Sequence, residues 1–304
     1  MAILNGIASK LKGSAGNLTF RRSAGRTIVS EKVTEVKISR TEPQQRHRTK
    51  WANVVQMYKG IRPLLNFGFE SRPKNLSDYN MFVKVNMQQT PVYLTKQKVA
   101  GGACVAAPYQ ITQGSLPAIV VTGSGQGGST DIRLTGLTIS NSTTVAEFSQ
   151  AVVNNNADYR YGDQISFFLV KQLVNAATEI PYCQFSAAKV ILDAANTETL
   201  ASVTGGSTGF KAVDGKLGHN GNDGDCAYTW VHSRKSVGCT LVSTQELLSA
   251  NTLEAEYQGD AAYTLASTSY GHSTGSFLTP DSDASGAASG GESGGGDEGG
   301  GGGL

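Results

Sequence analysis

The residues of this chain best suited to chemistry are four histidines (His47, His219, His232, His272), four cysteines (Cys104, Cys183, Cys226, Cys239) and two glycine-rich stretches. One stretch, "GHNGNDGDC" at 218–226, gathers His219, Asp223 and Asp225, as a metal site or a catalytic acid would require. A calcium loop, however, needs oxygen ligands at alternate positions and a closing bidentate Glu, and this stretch has neither. Asn, Asp and Gly are also common turn formers, so a surface loop is expected. The other stretch, "GSGQGG" at 123–128, fits Gly-x-Gly-x-x-Gly through Gly123, Gly125 and Gly128, after the apolar run "AIVVT". A dinucleotide site needs a helix next, its N-terminus aimed at the pyrophosphate, but "STDIRLTGLTIS" reads as a strand and a hairpin loop is expected.

The remaining candidates are weaker. His232 has neither a nucleophile elbow nor a second catalytic partner in the sequence, and His47, inside a basic helix, reads as a surface residue. The cysteines form no Cys-x-x-Cys pair, so neither zinc nor redox chemistry is signalled. Cys239 is expected opposite Trp230 rather than Cys226, and all four read as small buried or incidental thiols of a reducing compartment. No catalytic, cofactor or metal residue is assigned, and no cofactor is implied.

The strongest signal is charge. Residues 1–100 hold 18 Lys/Arg and 5 Asp/Glu, whereas residues 101–304 hold 8 and 19. Arg21, Arg22 and Arg26 stand near the N-terminus, followed by Arg40, Arg46, Arg48 and Lys50, with Trp51 and Tyr58 nearby in sequence. Such cations can neutralise phosphates or meet an acidic protein surface, and aromatic rings can stack on bases. Adjacent Arg21 and Arg22 must point to opposite faces of a strand, so at most one can share a partner with the helix.

The elements that must position these residues follow from pattern. Asn17–Arg22 and Arg26–Val33 read as a hairpin joined by "SAG". Thr41, Glu42 and Pro43 open a helix, with Trp51, Val54, Val55 and Tyr58 as its buried apolar face and Gly60 and Pro63 ending or kinking it; "SDYNMFVKVNM" from Ser77 is a second, Ser-capped helix. From about Tyr93 the texture turns to strands: "LPAIVVTG", "TDIRLTGLTIS", "QISFFLVKQLV", "YCQFSAAKVILD", "AYTWVHS" and "VGCTLVST". Thr144 with Glu147 forms a capping box opening the amphipathic "TVAEFSQAVVNN". The expected fold is mainly β with a few helices: an N-terminal hairpin plus helices, then an antiparallel β-sandwich or barrel-like body with one crossing helix. The expected divisions are a basic module at 1–92, a β-rich body at 93–280 and a disordered Gly-rich acidic tail at 281–304. The tail's Asp281, Asp283, Glu292, Asp297 and Glu298 could compete with an anionic partner, although a solubilising linker is the simpler role.

The runs "GSAGNLTFRRSAGRTIVSEKV", "RTEPQQRHRTKWANVVQMYKGIRPLLNFGF" and "SDYNMFVKVN", with a looser echo in "YGDQISFFLV", resemble the uncharacterised Bacteroidetes domain-of-unknown-function family 6266. The resemblance covers roughly the first 90 residues and implies architecture and a bacterial or phage origin, with no activity attached.

The start offers no secretory signal and no run is long enough for a bilayer, which points to a cytoplasmic or virion-associated protein without membrane contact. The leading expectation is a non-enzymatic structural or assembly protein, encoded by a phage or mobile element, whose basic module contacts an acidic macromolecule and which could form a homo-oligomer. The alternative is a nucleic-acid-binding protein using the hairpin and first helix. The third is a small-ligand binder or enzyme with a pocket around His219, Asp223 and His232.

Overall fold

The computed structural model describes residues 2–4, 12–23, 26–32, 41–65, 68–73, 75–89, 91–124, 127–221 and 223–270. Arg40, His272 and the acidic tail lie outside the described residues. The chain divides into two units, Met1–Arg40 with Pro73–Asn75, and Thr41–Arg72 with Leu76–Leu304.

The smaller unit is a four-stranded antiparallel sheet of β1 (Ala2–Leu4), β2 (Gly13–Ala15), β3 (Leu18–Ser23) and β4 (Arg26–Glu31), in the order β1-β4-β3-β2. The expected hairpin forms its centre, with Leu18 opposite Glu31 and Ser23 opposite Arg26.

The larger unit opens with three helices, α1 (Glu42–Ile61), α2 (Asp78–Gln89) and α3 (Lys96–Ala100). A short β5 (Gln110–Thr112) leads into β6 (Val121–Ser124), β7 (Gly127–Arg133) and α4 (Val145–Asn155). The long strands β8 (Gln164–Val174) and β9 (Pro181–Ile191) follow, then α5 (Leu200–Thr204), β10 (Lys211–Val213), β11 (Lys216–Asn220) and β12 (Cys226–Ser236). The chain continues through β13 (Cys239–Val242), β14 (Gln245–Glu246), β15 (Leu248–Ala250), a 3-10 turn at Thr252–Tyr257 and α6 (Gly259–Ser269). One sheet runs β13-β12-β8-β9 with β15 also on β12, and another runs β10-β11-β7-β6; every strand pairing in both is antiparallel. The fold is mainly β with several helices, and no sheet among the described residues closes into a barrel.

The β8–β12 layer is covered on both faces. Phe168, Val170, Ala227 and Val231 share a core with Val54, Met57 and Ile61 of α1 and Phe82 of α2. Phe167, Leu169, Tyr228 and Trp230 share the other with Ile132 of β7, Leu217 of β11 and Val145, Phe148 and Val152 of α4. Double burial explains why "QISFFLVKQLV" is a nearly continuous apolar run rather than an alternating one. It also moves the expected boundary. The two N-terminal helices belong with the β-rich unit, because their apolar faces are the lid of its sheet, so the division falls after Arg40 and not after residue 92.

Local expectations fared unevenly. The capping box opens α4, with Thr144 Oγ1 accepting the Glu147 N–H and Glu147 Oε2 accepting the Thr144 N–H. Ser77 Oγ likewise accepts the Asn80 N–H at the start of α2. Thr41 precedes α1 with extended backbone, but its side chain makes no capping bond. Leu116–Val120 belongs to no strand, Leu116 forming only an isolated bridge to Ser243, and β7 stops at Arg133 because Leu134–Leu137 turns, with Gly136 at φ 80°. Helices α3, α5 and α6 accompany the one crossing helix that was expected, α4. Cys239 is exposed and pairs with Ser236, not Trp230, since β12 runs on to a tight turn at Val237–Gly238. All four cysteines are free. Although distant in sequence, Cys104 and Cys183 are neighbours, with Cys183 Sγ 3.4 Å from the Cys104 carbonyl oxygen.

Candidate anion-binding surface

Strand pairing decides how the hairpin arginines are displayed. Arg21 stands opposite Ile28, Arg22 opposite Thr27 and Ser23 opposite Arg26. Directly opposed residues share a sheet face and neighbours along a strand alternate, so Arg21 and Arg26 lie on one face, with Ile28, and Arg22 lies on the other, with Thr27. All three arginines are exposed, while Thr27 is buried and Ile28 and Val29 are half-buried. None of the three has an ion-pair partner among the described residues.

The helix cations are differently placed. Arg46 reaches back one turn to Glu42 at 3.3 Å and lies 4.3 Å from the ring centre of Tyr263 in α6. The Arg48 guanidinium sits 5.9 Å from the ring centre of Tyr270, at the end of the same helix. Lys50 Nζ donates to the Met87 carbonyl at 2.7 Å, in the last turn of α2, and burial lowers its pKa, helped by the charge of Arg46. These groups bind the helices of the larger unit together. The hairpin arginines belong to the smaller one.

Trp51, expected on the buried face of α1, is 38% exposed and meets the His47 ring in a tilted contact at 5.4 Å between ring centres. The buried arc runs instead through Gln45, Thr49, Asn53, Val54, Met57 and Ile61. Three polar residues on that arc hide it from any reading based on apolar spacing.

The histidine stretches turn out to be interior. His219 is 1% exposed, on β11, with its ring between Phe167 (5.4 Å) and Tyr228 (4.6 Å). Asp223 stands 3.4 Å from its Nε2 and pairs with Lys171 Nζ at 2.6 Å, while Thr208 Oγ1 donates to Asp223 at 3.2 Å. The expected surface loop is therefore corrected for His219 and Asp223, because the Lys171 charge on β8 gives a turn-type Asp a reason to fold inward. Burial lowers the His219 pKa, against the pull of Thr208 and Asp223.

His232 is 0% exposed and forms a second interior cluster. Its Nε2 lies 2.9 Å from Asp163 Oδ2, and the Tyr159 ring stacks on it at 4.4 Å. Arg234 donates to the same carboxylate twice, from Nε and Nη2, each at 2.7 Å, and the Arg160 N–H adds a third bond at 3.0 Å. Burial raises the Asp163 pKa, but the Arg234 and His232 bonds outweigh it and hold the carboxyl below its ordinary value. Burial lowers the His232 pKa despite Asp163. The arrangement is an ionised carboxylate between a guanidinium and a neutral imidazole, shielded from solvent.

Of the "GSGQGG" stretch, Gly125 lies outside the described residues, while Gly123 on β6 stands opposite Gly128 on β7, a strand where a dinucleotide site would have a helix. Any Cβ on Gly128 would meet the Tyr228 hydroxyl at 2.5 Å, which accounts for a glycine there by packing. Among the described residues no three His, Cys, Asp or Glu side chains are grouped so as to hold a metal ion, and no helix is long and apolar enough to cross a membrane.

No family model, curated protein or solved structure matches this chain. The functional reading consequently rests on the chain's own geometry.

Proposed function

We propose that this chain is a non-enzymatic structural or assembly protein whose N-terminal sheet contacts an acidic partner through the face shared by Arg21 and Arg26. The observation that carries the reading is the contrast in how the cations are used. Arg46, Arg48 and Lys50 are committed to carboxylate, aromatic and carbonyl groups of their own unit, whereas Arg21 and Arg26 stand exposed on one sheet face without an acidic neighbour among the described residues. Guanidinium groups suit this task because their planar forks match carboxylate and phosphate oxygens. The interior placement of the His219 and His232 clusters supports the non-enzymatic part, since their carboxylates are paired inside the fold, Asp223 with Lys171 and Asp163 with Arg234 and His232. Membership of family 6266 and a phage or mobile-element origin belong to the same proposal and rest on the N-terminal sequence pattern.

Titration of the full chain with fluorescent polyglutamate and with duplex DNA at several salt concentrations tests the reading. Replacing both Arg21 and Arg26 by Ala should abolish most low-salt affinity for polyglutamate, and Arg22→Ala should cost less. Preference for DNA, with a log–log salt slope that falls by about 0.9 for each lost arginine contact, would transfer the hairpin to the nucleic-acid reading. Absence of binding to either polymer at low salt would remove the proposal.

A further inference from the structure

The larger unit carries a second cationic feature, separate from the hairpin. Where the last turn of α1 meets the start of α2, an open groove of about 810 Å³ is lined by Lys59, Arg62 and Arg72 together with Tyr58, Tyr79 and Asp78. Lys59 and Arg62 also suit the carbonyl end of α1, where cations offset the helix dipole. That role leaves Arg72 unexplained. It enters the groove from the connection between the two helices and pairs with Asp78. Three cations against one carboxylate leave the lining with two positive charges in excess.

The walls are fixed by packing. Tyr58 and Tyr79 meet edge to face at 5.2 Å between ring centres, and Tyr58 also packs on the buried Phe82 at 5.4 Å. The α2 N-terminus is already occupied by its own cap, since Ser77 Oγ accepts the Asn80 N–H at 3.3 Å. The attraction for an anion thus comes from the side-chain cations and not from the helix end. Neither Lys59 nor Arg62 has an ion-pair partner among the described residues.

We propose that this groove binds a small ligand bearing a phosphate-like oxyanion of charge −2 or more, held by Arg62 and Lys59, with Arg72 released from Asp78 to join them. A guanidinium can present two parallel N–H donors to such a group, and a lysine adds a point charge. Asp78 acts as the internal anion that the ligand displaces. The sign of its effect is therefore opposite to that of its cationic neighbours.

Calorimetric titration of the full chain with inorganic pyrophosphate, at constant ionic strength, provides the test. Losing one charged hydrogen-bond partner should weaken binding by about tenfold or more, so Arg62→Ala and Lys59→Ala should each do so. Asp78→Asn should tighten it several-fold, because Arg72 is freed and a like charge is gone. The double replacement of Arg21 and Arg26 by Ala should leave the titration unchanged, which separates this site from the hairpin. Circular dichroism establishes that each variant is folded, and Lys59→Ala stands in if Arg62→Ala is not. Binding weaker than ~10 mM in the unmodified chain, or an Asp78→Asn variant that binds no better, would overturn the proposal.

Discussion

Replacing Asp163 by Asn gives the most direct probe of how the larger unit is held together. The change keeps the shape of the side chain and removes its charge, so no cavity complicates the reading. Asp163 is 1% exposed and receives two bonds from Arg234 and one each from His232 and the Arg160 N–H. Breaking one partner of a buried ion pair costs about 3–5 kcal/mol, because the other charge is left without compensation. Arg234 keeps its bond to the Asp158 carbonyl at 2.7 Å and its side chain is 16% exposed, which puts the expected cost at the low end, about 3 kcal/mol. For a unit of this size that lowers Tm by about 6–12 °C. Urea unfolding followed by circular dichroism measures the loss directly, as a lower midpoint at unchanged slope. Adding Arg234→Met to the variant should recover part of it, since an unpaired charge is then no longer buried. A loss below about 1 kcal/mol for Asp163→Asn would refute the reasoning, because it would mean the carboxylate is not what neutralises Arg234.

Other consequences are independent of that pair. His232 and His219 both have folded pKa values below the ordinary one, burial being the main cause, so the unfolded chain takes up their protons first. Stability should accordingly be full above about pH 6.5 and fall as the pH drops through the folded values, and His232→Gln should flatten that fall in urea midpoints measured across the range. Asp163, also depressed, adds its own loss only at a lower pH, below about 4. Thr144→Ala removes the capping box of α4 and should cost about 1 kcal/mol by thermal unfolding. Gly209→Ala should cost about 1–3 kcal/mol, because its Cβ would overlap the buried Phe167 ring, whereas Gly127→Ala, whose nearest neighbour would be 3.7 Å away, should be close to neutral.

What the sequence displays is local chemistry, and local chemistry is where it can be read. The arginine hairpin, the Thr144–Glu147 box and the eleven-residue strand β8 all announce themselves through alternation, caps or β-branched content. The groove is not legible in the sequence because Lys59, Arg62 and Arg72 are spread over 14 residues and converge only when α2 folds back on α1. The interior position of His219 and Asp223 is hidden from the sequence for a related reason. A Gly–Asn–Asp stretch has the composition of a solvated turn, and only the pairing of β11 with β7 and the distant Lys171 bring it inside. The basic run from Arg21 to Lys50 looked continuous because sequence proximity does not reveal that Arg46, Arg48 and Lys50 each find partners at Tyr263, Tyr270 and Met87.

The polar arc of α1 shows why the helices could not have formed an independent module. Asn53 is fully buried, and its amide pairs with both backbone groups of Val105: Nδ2 donates to the carbonyl at 2.9 Å and Oδ1 accepts the N–H at 2.7 Å. Asn86 on α2 repeats the arrangement at Gln110, with Nδ2 donating at 2.9 Å and Oδ1 accepting at 2.7 Å. Gln172 on β8 accepts the Ala106 N–H at 2.7 Å and donates to the Cys104 carbonyl at 3.2 Å. With Asn251 Nδ2 donating to the Ala106 carbonyl at 2.8 Å, four side-chain amides thus supply hydrogen bonds that a neighbouring strand would otherwise give to the buried segment from Cys104 to the start of β5. Backbone polar groups buried without partners cost about 1–3 kcal/mol each, so the segment can sit between helix and sheet only while those amides are in place. The helices are therefore required by the sheet as much as the sheet by the helices. A break after residue 92 would take Asn53 from both backbone groups of Val105 and Asn86 from those of Gln110, leaving only Ala106 with its side-chain partners, Gln172 and Asn251.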